Sequence, residues 1–142
     1  MAALLLDTHA LIWLVAGTPI SVPTLLEIAR AQSNKSLFVA TVSAWEAGTA
    51  ALKPGSAPNL LGMSAEMWFN RAIQKSGART VSLTRRIALE AASVPAFYGS
   101  GDPGDCFLIA TARVMNLILV TRDRRMLSMA KTAPRYLRTI PC

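Results

Sequence analysis

Between Gly101 and Asp123 the chain reads GDPGDCFLIATARVMNLILVTRD, and no other stretch constrains the fold as tightly. Asp102 followed by Pro103 marks a helix start, since an Asp side chain caps free backbone N–H groups and a Pro with fixed φ suits the first helical position. From Phe107 to Met115 the apolar residues Phe107, Leu108, Ala110, Ala112, Val114 and Met115 cover most of a helical surface, as a crossover helix packed on a sheet requires. Asn116 is expected to end that helix. Leu117-Ile118-Leu119-Val120 is then continuously apolar with no alternation, the mark of a strand buried on both faces in a parallel sheet. Polarity returns abruptly at Thr121-Arg122-Asp123. Ligands of open α/β sheets bind outside the carboxyl ends of the strands, so Asp123 stands where chemistry is done.

The rest of the chain repeats this arrangement. Ala2 to Leu6 reads as an apolar strand that stops at Asp7, followed by a short helix from Thr8 to Val15 closed by Gly17, Thr18 and Pro19. A second helix is expected over Ser21 to Gln32, with Leu25, Leu26, Ile28 and Ala29 as its buried face. Leu37 to Ala40 is a second buried strand, and Thr41-Val42-Ser43 leads into a helix carrying Trp45, Glu46, Ala47 and Ala50. Lys53 to Gly62 has the composition of a loop. Ser64 to Lys75 reads as a helix stopped by Gly77, Arg79 to Leu83 as a third, weaker strand, and Thr84 as the cap of a helix running to Ser93. Pro95 to Gly101 is expected to be a loop, Arg124 to Ala130 a short helix, and Tyr136 to Ile140 a final edge strand. Strands alternating with helices imply one α/β domain over residues 1–142, three layers around a central parallel sheet with right-handed crossovers.

That topology gathers the carboxyl ends of the strands on one edge, and with them Asp7, Glu46, Asp105 and Asp123, half of the chain's 8 acidic residues. Two carboxylates about 4 Å apart repel by roughly 4 kcal/mol at an effective dielectric of about 20, so such a cluster calls for a compensating cation. An all-oxygen donor set selects a hard ion, magnesium or manganese, and the single His rules out a zinc triad. Such ions activate water and neutralise charge on a phosphate. With 15 Lys and Arg against 8 acids, a net charge of +7 favours a polyanionic partner, and the combination describes a phosphodiesterase.

Each acid also has a purely structural reading. Asp102 is the best helix cap in the chain, Asp105 sits where a helix dipole favours negative charge, Ser43-Ala-Trp-Glu46 fits a capping box, and Asp123 fits a cap for the helix beginning at Arg124. The joint pattern is what favours a site. His9 is read as hydrogen-bonded structure rather than a general base, and Trp13, Trp45 and Trp68 as core or interface rather than base-stacking platforms. Thr121 is a candidate supporting hydroxyl beside the acids. Cys106 and Cys142 lack the spacing of a disulfide or zinc motif. No apolar run approaches the roughly 20 residues that span a bilayer, and no basic region precedes the apolar opening, so a soluble cytoplasmic protein with no membrane partner is expected. Hydrophobic residues make up 52% and charged residues 16%, an apolar excess that points to a homodimer and a groove for a partner helix.

LLLDTHALIWL at Leu4 to Leu14, SAWEAG at Ser43 to Gly48, GDPGDCFLIATA at Gly101 to Ala112 and LVTRD at Leu119 to Asp123 together resemble the PIN domain, in particular the VapC-like toxins of bacterial toxin–antitoxin pairs. The resemblance covers nearly the whole chain in the right order. It implies a parallel sheet of about five strands between helices, magnesium- or manganese-dependent endoribonuclease cleavage through metal-activated water, and a VapB-like antitoxin that blocks the acidic pocket. Asp7, Glu46, Asp105 and Asp123 fall on the family's acidic positions and Asp102 on an accessory one. Cys106 stands where many relatives with a DPxD pattern have an arginine, which bears on a local salt bridge or substrate contact and not on the metal site. Pro54 to Gly77 matches no motif, and specificity for substrate or antitoxin is expected there. Arg122 and Arg124 are expected to position RNA backbone. The competing readings are a non-catalytic PIN-like module that binds RNA or protein, and a DNA nuclease.

Overall fold

The computed structural model describes residues 2–53, 62–99 and 101–142. Its order of elements is β1 (Leu4–Leu6), α1 (Thr8–Ala16), α2 (Val22–Ser33), β2 (Leu37–Ala40), α3 (Val42–Ala51), α4 (Ala65–Ser76), β3 (Arg79–Val81), α5 (Arg85–Ser93), α6 (Pro95–Tyr98), α7 (Pro103–Val114), β4 (Ile118–Thr121), α8 (Arg124–Thr132) and β5 (Thr139–Pro141). The strands form one parallel sheet in the order β3-β2-β1-β4-β5, the α/β architecture expected. β1, with leucine on both faces, lies at its centre, and β2 and β4 follow the same apolar logic on either side. Leu5 pairs in register with Leu119, and both pack towards Ile87 of α5, Ile109 of α7 and Met126 of α8. Leu4, Leu6 and Val120 project the other way, onto Leu11 of α1, Ile28 of α2, and Trp68 and Phe69 of α4. Each such side chain removed from water contributes roughly 1.5–3 kcal/mol, and the two apolar layers hold the sheet between them.

Strand order creates the site. The chain leaves β1 for β2 and β3 on one side, then crosses back to β4 and β5 on the other, so β1 and β4 are neighbours from which the connections diverge. A crevice opens at such a switch point beyond the carboxyl ends of the strands. Asp7 and Asp123 follow those two strands directly or within two residues.

Several local expectations shift. The strands β1, β3 and β5 are shorter than read from the sequence, covering Leu4–Leu6, Arg79–Val81 and Thr139–Pro141; β3 and β5 are sheet edges, where one side lacks a partner, and Arg79 and Thr80 are exposed. Helix α8 continues two residues past Ala130 to Thr132. The segment Pro95 to Gly101, read as loop, contains α6, started by Pro95 and anchored by the fully buried Val94. On α2 the buried residues are Thr24, Ile28 and Ala31, not Leu25, Leu26 and Ala29. Thr24 takes an inside position because its hydroxyl donates to the Pro141 carbonyl at the end of β5, which leaves Val22, Leu25 and Leu26 exposed on the opposite side. Most of the Lys53 to Gly62 loop lies outside the described residues. Among the described residues no helix is long and apolar enough to cross a membrane.

Candidate active site

Five acids line one cavity of about 360 Å³ at the β1–β4 crevice: Asp7, Glu46, Asp102, Asp105 and Asp123. All four predicted site residues are among them, joined by the predicted cap Asp102. Thr8, His9, Trp13, Leu108, Arg122 and Met126 complete the walls.

Asp7 is buried and doubly held. One oxygen caps α1 by accepting from the Ala10 N–H at 2.7 Å, and the other accepts from the Thr121 hydroxyl at 2.5 Å. Thr121, fully buried, also accepts from the Asp123 N–H at 3.0 Å, so one hydroxyl ties the end of β1 to the end of β4. This is the supporting role expected of Thr121. Asp123 caps α8, with Oδ1 accepting from the N–H groups of Arg125 and Met126. Asp102 caps α7, with Oδ1 accepting from Gly104 N–H at 2.8 Å. Capping therefore does not separate Asp102 from the other acids: Asp7 and Asp123 are caps too, and all three face the same cavity.

Glu46 is placed differently from its sequence reading. Ser43 is not the cap of α3 but lies within the helix, fully buried, so Ser43 and Glu46 are not a capping box. They sit one turn apart and meet Thr8, whose hydroxyl donates to Glu46 Oε1 at 2.8 Å and lies 2.9 Å from Ser43 Oγ. With the Thr8 proton on Glu46, Ser43 is the donor in the second bond. On the other side Gly104 makes room for the acid: a Cβ there would lie 2.8 Å from the Glu46 carboxyl carbon. Asp105 is one residue further along α7, and its Oδ2 accepts from the Tyr98 hydroxyl at 3.3 Å; the same hydroxyl lies 3.5 Å from Asp123 Oδ1.

Thr8, Ser43, Tyr98 and Gly104 are thus parts of the site that sequence reasoning did not pick out. Thr8 and Ser43 carried a signal, one beside an acid and the other a helical turn before one. Tyr98 carried none, because its contact with Asp105 joins two different helices, α6 and α7.

Clustering shows in the titration of these groups. Asp105 is pushed up to about 6, first by burial and then by the charges of Asp102 and Asp123. Burial also raises Asp7, offset in part by its bonds from Thr121 and Ala10, and raises Glu46, with Asp102 and Asp105 adding to the shift. Tyr98 is held protonated by burial and by Asp105 and Asp123, so it remains a donor to Asp105. Buried Cys106 is likewise raised, by burial and then by Asp105 and Asp102.

Of the two arginines expected to position RNA backbone, one lines the acidic cavity and the other does not. Arg122 lines the cavity, but its guanidinium lies over the Trp13 ring at 4.0 Å and donates to the carbonyls of Pro19 and Cys142, which makes it a clamp between chain segments. Arg124 points away, into the cavities on either side of α8. Of the tryptophans Trp68 is core, Trp45 is half exposed and Trp13 is the partner of Arg122; His9 is exposed and tilted against Trp13 at the rim.

Among the described residues no three His, Cys, Asp or Glu side chains are set to hold an ion as they stand. The donor chemistry nonetheless fits a hard divalent cation. Glu46 Oε2, Asp102 Oδ2, Asp105 Oδ1 and Asp123 Oδ2 accept no hydrogen bond within the described residues, no thiol lines the cavity, and its one imidazole, His9, is exposed at the rim.

The comparisons agree with this architecture. The family model for the PIN domain matches residues 4–132, and the chain belongs to that family. PIN-domain nucleases generally use divalent metal ions. No curated protein matches the chain in sequence. Among solved structures it is similar to DNA-bound VapBC from Salmonella typhimurium, at 16% identity and a TM-score of 0.68 over 99% of this chain and 98% of that one. VapBC2 from Rickettsia felis, bound to a DNA fragment from its promoter, aligns at 13% identity and a TM-score of 0.63 over 97% of each chain. A toxin–antitoxin complex from Klebsiella pneumoniae aligns at 16% identity and a TM-score of 0.51 over 84% of this chain and 86% of that one. At these identities the likeness is one of fold.

Proposed function

We propose that the protein is the toxin of a toxin–antitoxin pair and acts as a metal-dependent endoribonuclease in the cytoplasm. The observation that carries this reading is the meeting of Asp7, Glu46, Asp105 and Asp123 in one cavity at the sheet's switch point, where Glu46, Asp105 and Asp123 each keep a carboxylate oxygen unpartnered among the described residues. Membership of the PIN-domain family supports it, as does the fold shared with VapBC chains and with a toxin–antitoxin complex. A divalent ion, magnesium or manganese, would be held by Asp7, Asp105 and Asp123 with Glu46 directly or through water, and would supply water activation and charge neutralisation at a phosphodiester.

The chain's own residues do the positioning. Thr121 and the Ala10 N–H fix the Asp7 carboxylate, Thr8 fixes Glu46, and the Tyr98 hydroxyl steadies Asp105 beside Asp123. Asp105, ionising only around pH 6, needs a cation to be fully charged without cost at lower pH. The net charge of +7 attracts RNA, and the exposed Val22, Leu25 and Leu26 of α2 suit a self-association surface for a homodimer. A VapB-like antitoxin is the expected partner over the acidic cavity.

The test is cleavage of RNA and of DNA by one preparation, with magnesium or manganese and with EDTA. RNA cut only when the ion is present is the expected result; DNA cut in preference to RNA moves the substrate class, and activity undiminished by EDTA overturns the mechanism. Light scattering that finds only a monomer at all concentrations removes the homodimer.

A further inference from the structure

We propose that a second cavity, on the far side of Tyr98 from the acids, is a subsite for one nucleotide of a single-stranded substrate, taking a base on an aromatic platform and a phosphate on an arginine. The inference rests on the nuclease reading and deepens it. The cavity measures about 440 Å³, within the range of small-ligand sites, and is lined by Phe97, Tyr98, Arg124, Arg125, Met129 and Tyr136 among others.

Phe97 is the first reason. It is 67% exposed, an unusual fate for a Phe on the last turn of a short helix. It is nevertheless held in place, because one ring face stacks on Tyr136 with centroids 4.6 Å apart and planes 29° from parallel. Tyr136 is fixed in turn by the Arg113 guanidinium 3.7 Å from its ring centroid. The result is an immobilised aromatic whose second face is open, which is what a base needs in order to stack.

Charge is the second. Among the described residues the exposed Arg124 side chain makes no hydrogen bond, ion pair or ring contact, so its guanidinium is unengaged beside that platform. Arg125 is committed to structure: it lies 4.3 Å over the Tyr98 ring and donates to the Tyr98 carbonyl at 2.7 Å, pinning α6 to α8.

Position is the third. Tyr98 lines this cavity while its hydroxyl reaches Asp105 and Asp123 of the acidic one, so a single side chain links the two compartments. A nucleotide seated on Phe97 therefore neighbours the phosphodiester at the acids. Proteins that bind single strands combine these elements, stacking bases on aromatic rings and tracking phosphates with cations. An acidic peptide would use Arg124 but gives no role to an open ring face next to a phosphodiester site.

The probe is a five-nucleotide RNA carrying 2-aminopurine at successive positions, titrated in EDTA so that nothing is cut. Wild type is expected to quench one label position more than the others. Phe97→Ala should abolish that quench and weaken binding about tenfold or more, and Phe97→Leu, which keeps contact with Tyr136, should be as poor, whereas Phe97→Tyr should retain it. Arg124→Ala should lower the slope of log K against log salt by about 0.7. Binding by Phe97→Ala or Phe97→Leu within twofold of wild type overturns the subsite, as does absence of any quench with the wild type. So does a Phe97→Ala variant that loses only the binding of a protein partner, which assigns the cavity to that partner. RNA cleavage with KM and cut site unchanged in Phe97→Ala defeats the subsite and leaves the nuclease reading standing. Phe97-dependent binding without cleavage under magnesium or manganese does the reverse.

Discussion

The two cavities linked by Tyr98, which lines one and hydrogen-bonds an acid of the other, are built on opposite physical plans. On the acidic side every carboxylate is held before any ligand arrives, Asp7 by a hydroxyl and a backbone N–H, Glu46 by Thr8, Asp102 and Asp123 by the helix ends they cap. The cost is that of burying the carboxyls and, second to it, of crowding them, and it shows in groups displaced above their ordinary range. On the other side the walls are aromatic rings and guanidinium groups, partly open to water, with no buried charge to compensate. A rigid, repulsive site is suited to one ion and one bond, and a stacked, basic one to a flexible strand. Substitutions should therefore act sharply on the first and gradually on the second.

The largest effect is expected for Asp7→Asn and Asp105→Asn, each reducing metal-dependent RNA cleavage by about 100-fold or more while circular dichroism stays unchanged. Retained activity in Asp7→Asn would mean that the acidic side is structural and would erase the contrast. Next comes Gly104→Ala, whose Cβ would collide with the Glu46 carboxyl; it should lose about 1–3 kcal/mol of stability and much of the activity. Gly48→Ala, with nothing within 4 Å of its Cβ and a place inside α3, is the control and should gain roughly 0.5–1 kcal/mol in a denaturant titration.

The pH dependence is smaller. Asp105 titrates at about 6 in the fold against 3.8 as its reference, so the native state keeps a proton that the unfolded chain releases. Its destabilising contribution is absent below the lower value and complete above the higher one. Asp7 and Glu46 shift in the same direction. Metal-free protein should melt about 3 °C higher at pH 5 than at pH 7.5 in calorimetry, and magnesium should remove the difference at pH 7.5. A melting point that instead rises towards pH 7.5 without metal would show that the acids do not repel. Least is expected of Tyr136→Phe on the aromatic side: its hydroxyl is buried without a hydrogen-bond partner among the described residues, so its loss should leave stability unchanged or raise it by up to about 1 kcal/mol.

Much of the molecule is written locally. The unalternating runs at Leu4–Leu6, Leu37–Ala40 and Ile118–Thr121 are strands because a stretch apolar on both faces is stable only between two layers. Thr84 and Asp102 cap their helices as read, and Ser64, read as the first residue of its helix, is the cap just before it. Errors arose where a residue's environment comes from a distant segment. The face of α2 turned because Thr24 finds a carbonyl at Pro141, and the apparent capping box at Ser43 dissolved because Thr8 reaches both of its members. No periodicity reports such a bond.

By itself, then, the sequence determined the elements, the caps and the presence of acids after apolar strands, since these depend on neighbours within about one helical turn. It also carried the family, through motifs spread from Leu4 to Asp123. Only the tertiary structure decided which acids share a cavity and which of their oxygens remain available. Asp7, Asp102 and Asp123 all satisfy the same local rule as helix caps, and a cap is fixed by its own next turn. Convergence, by contrast, depends on β4 crossing back to lie beside β1, a long-range pairing that sets Asp7 and Asp123 across one crevice and lets α6 fold Tyr98 over them.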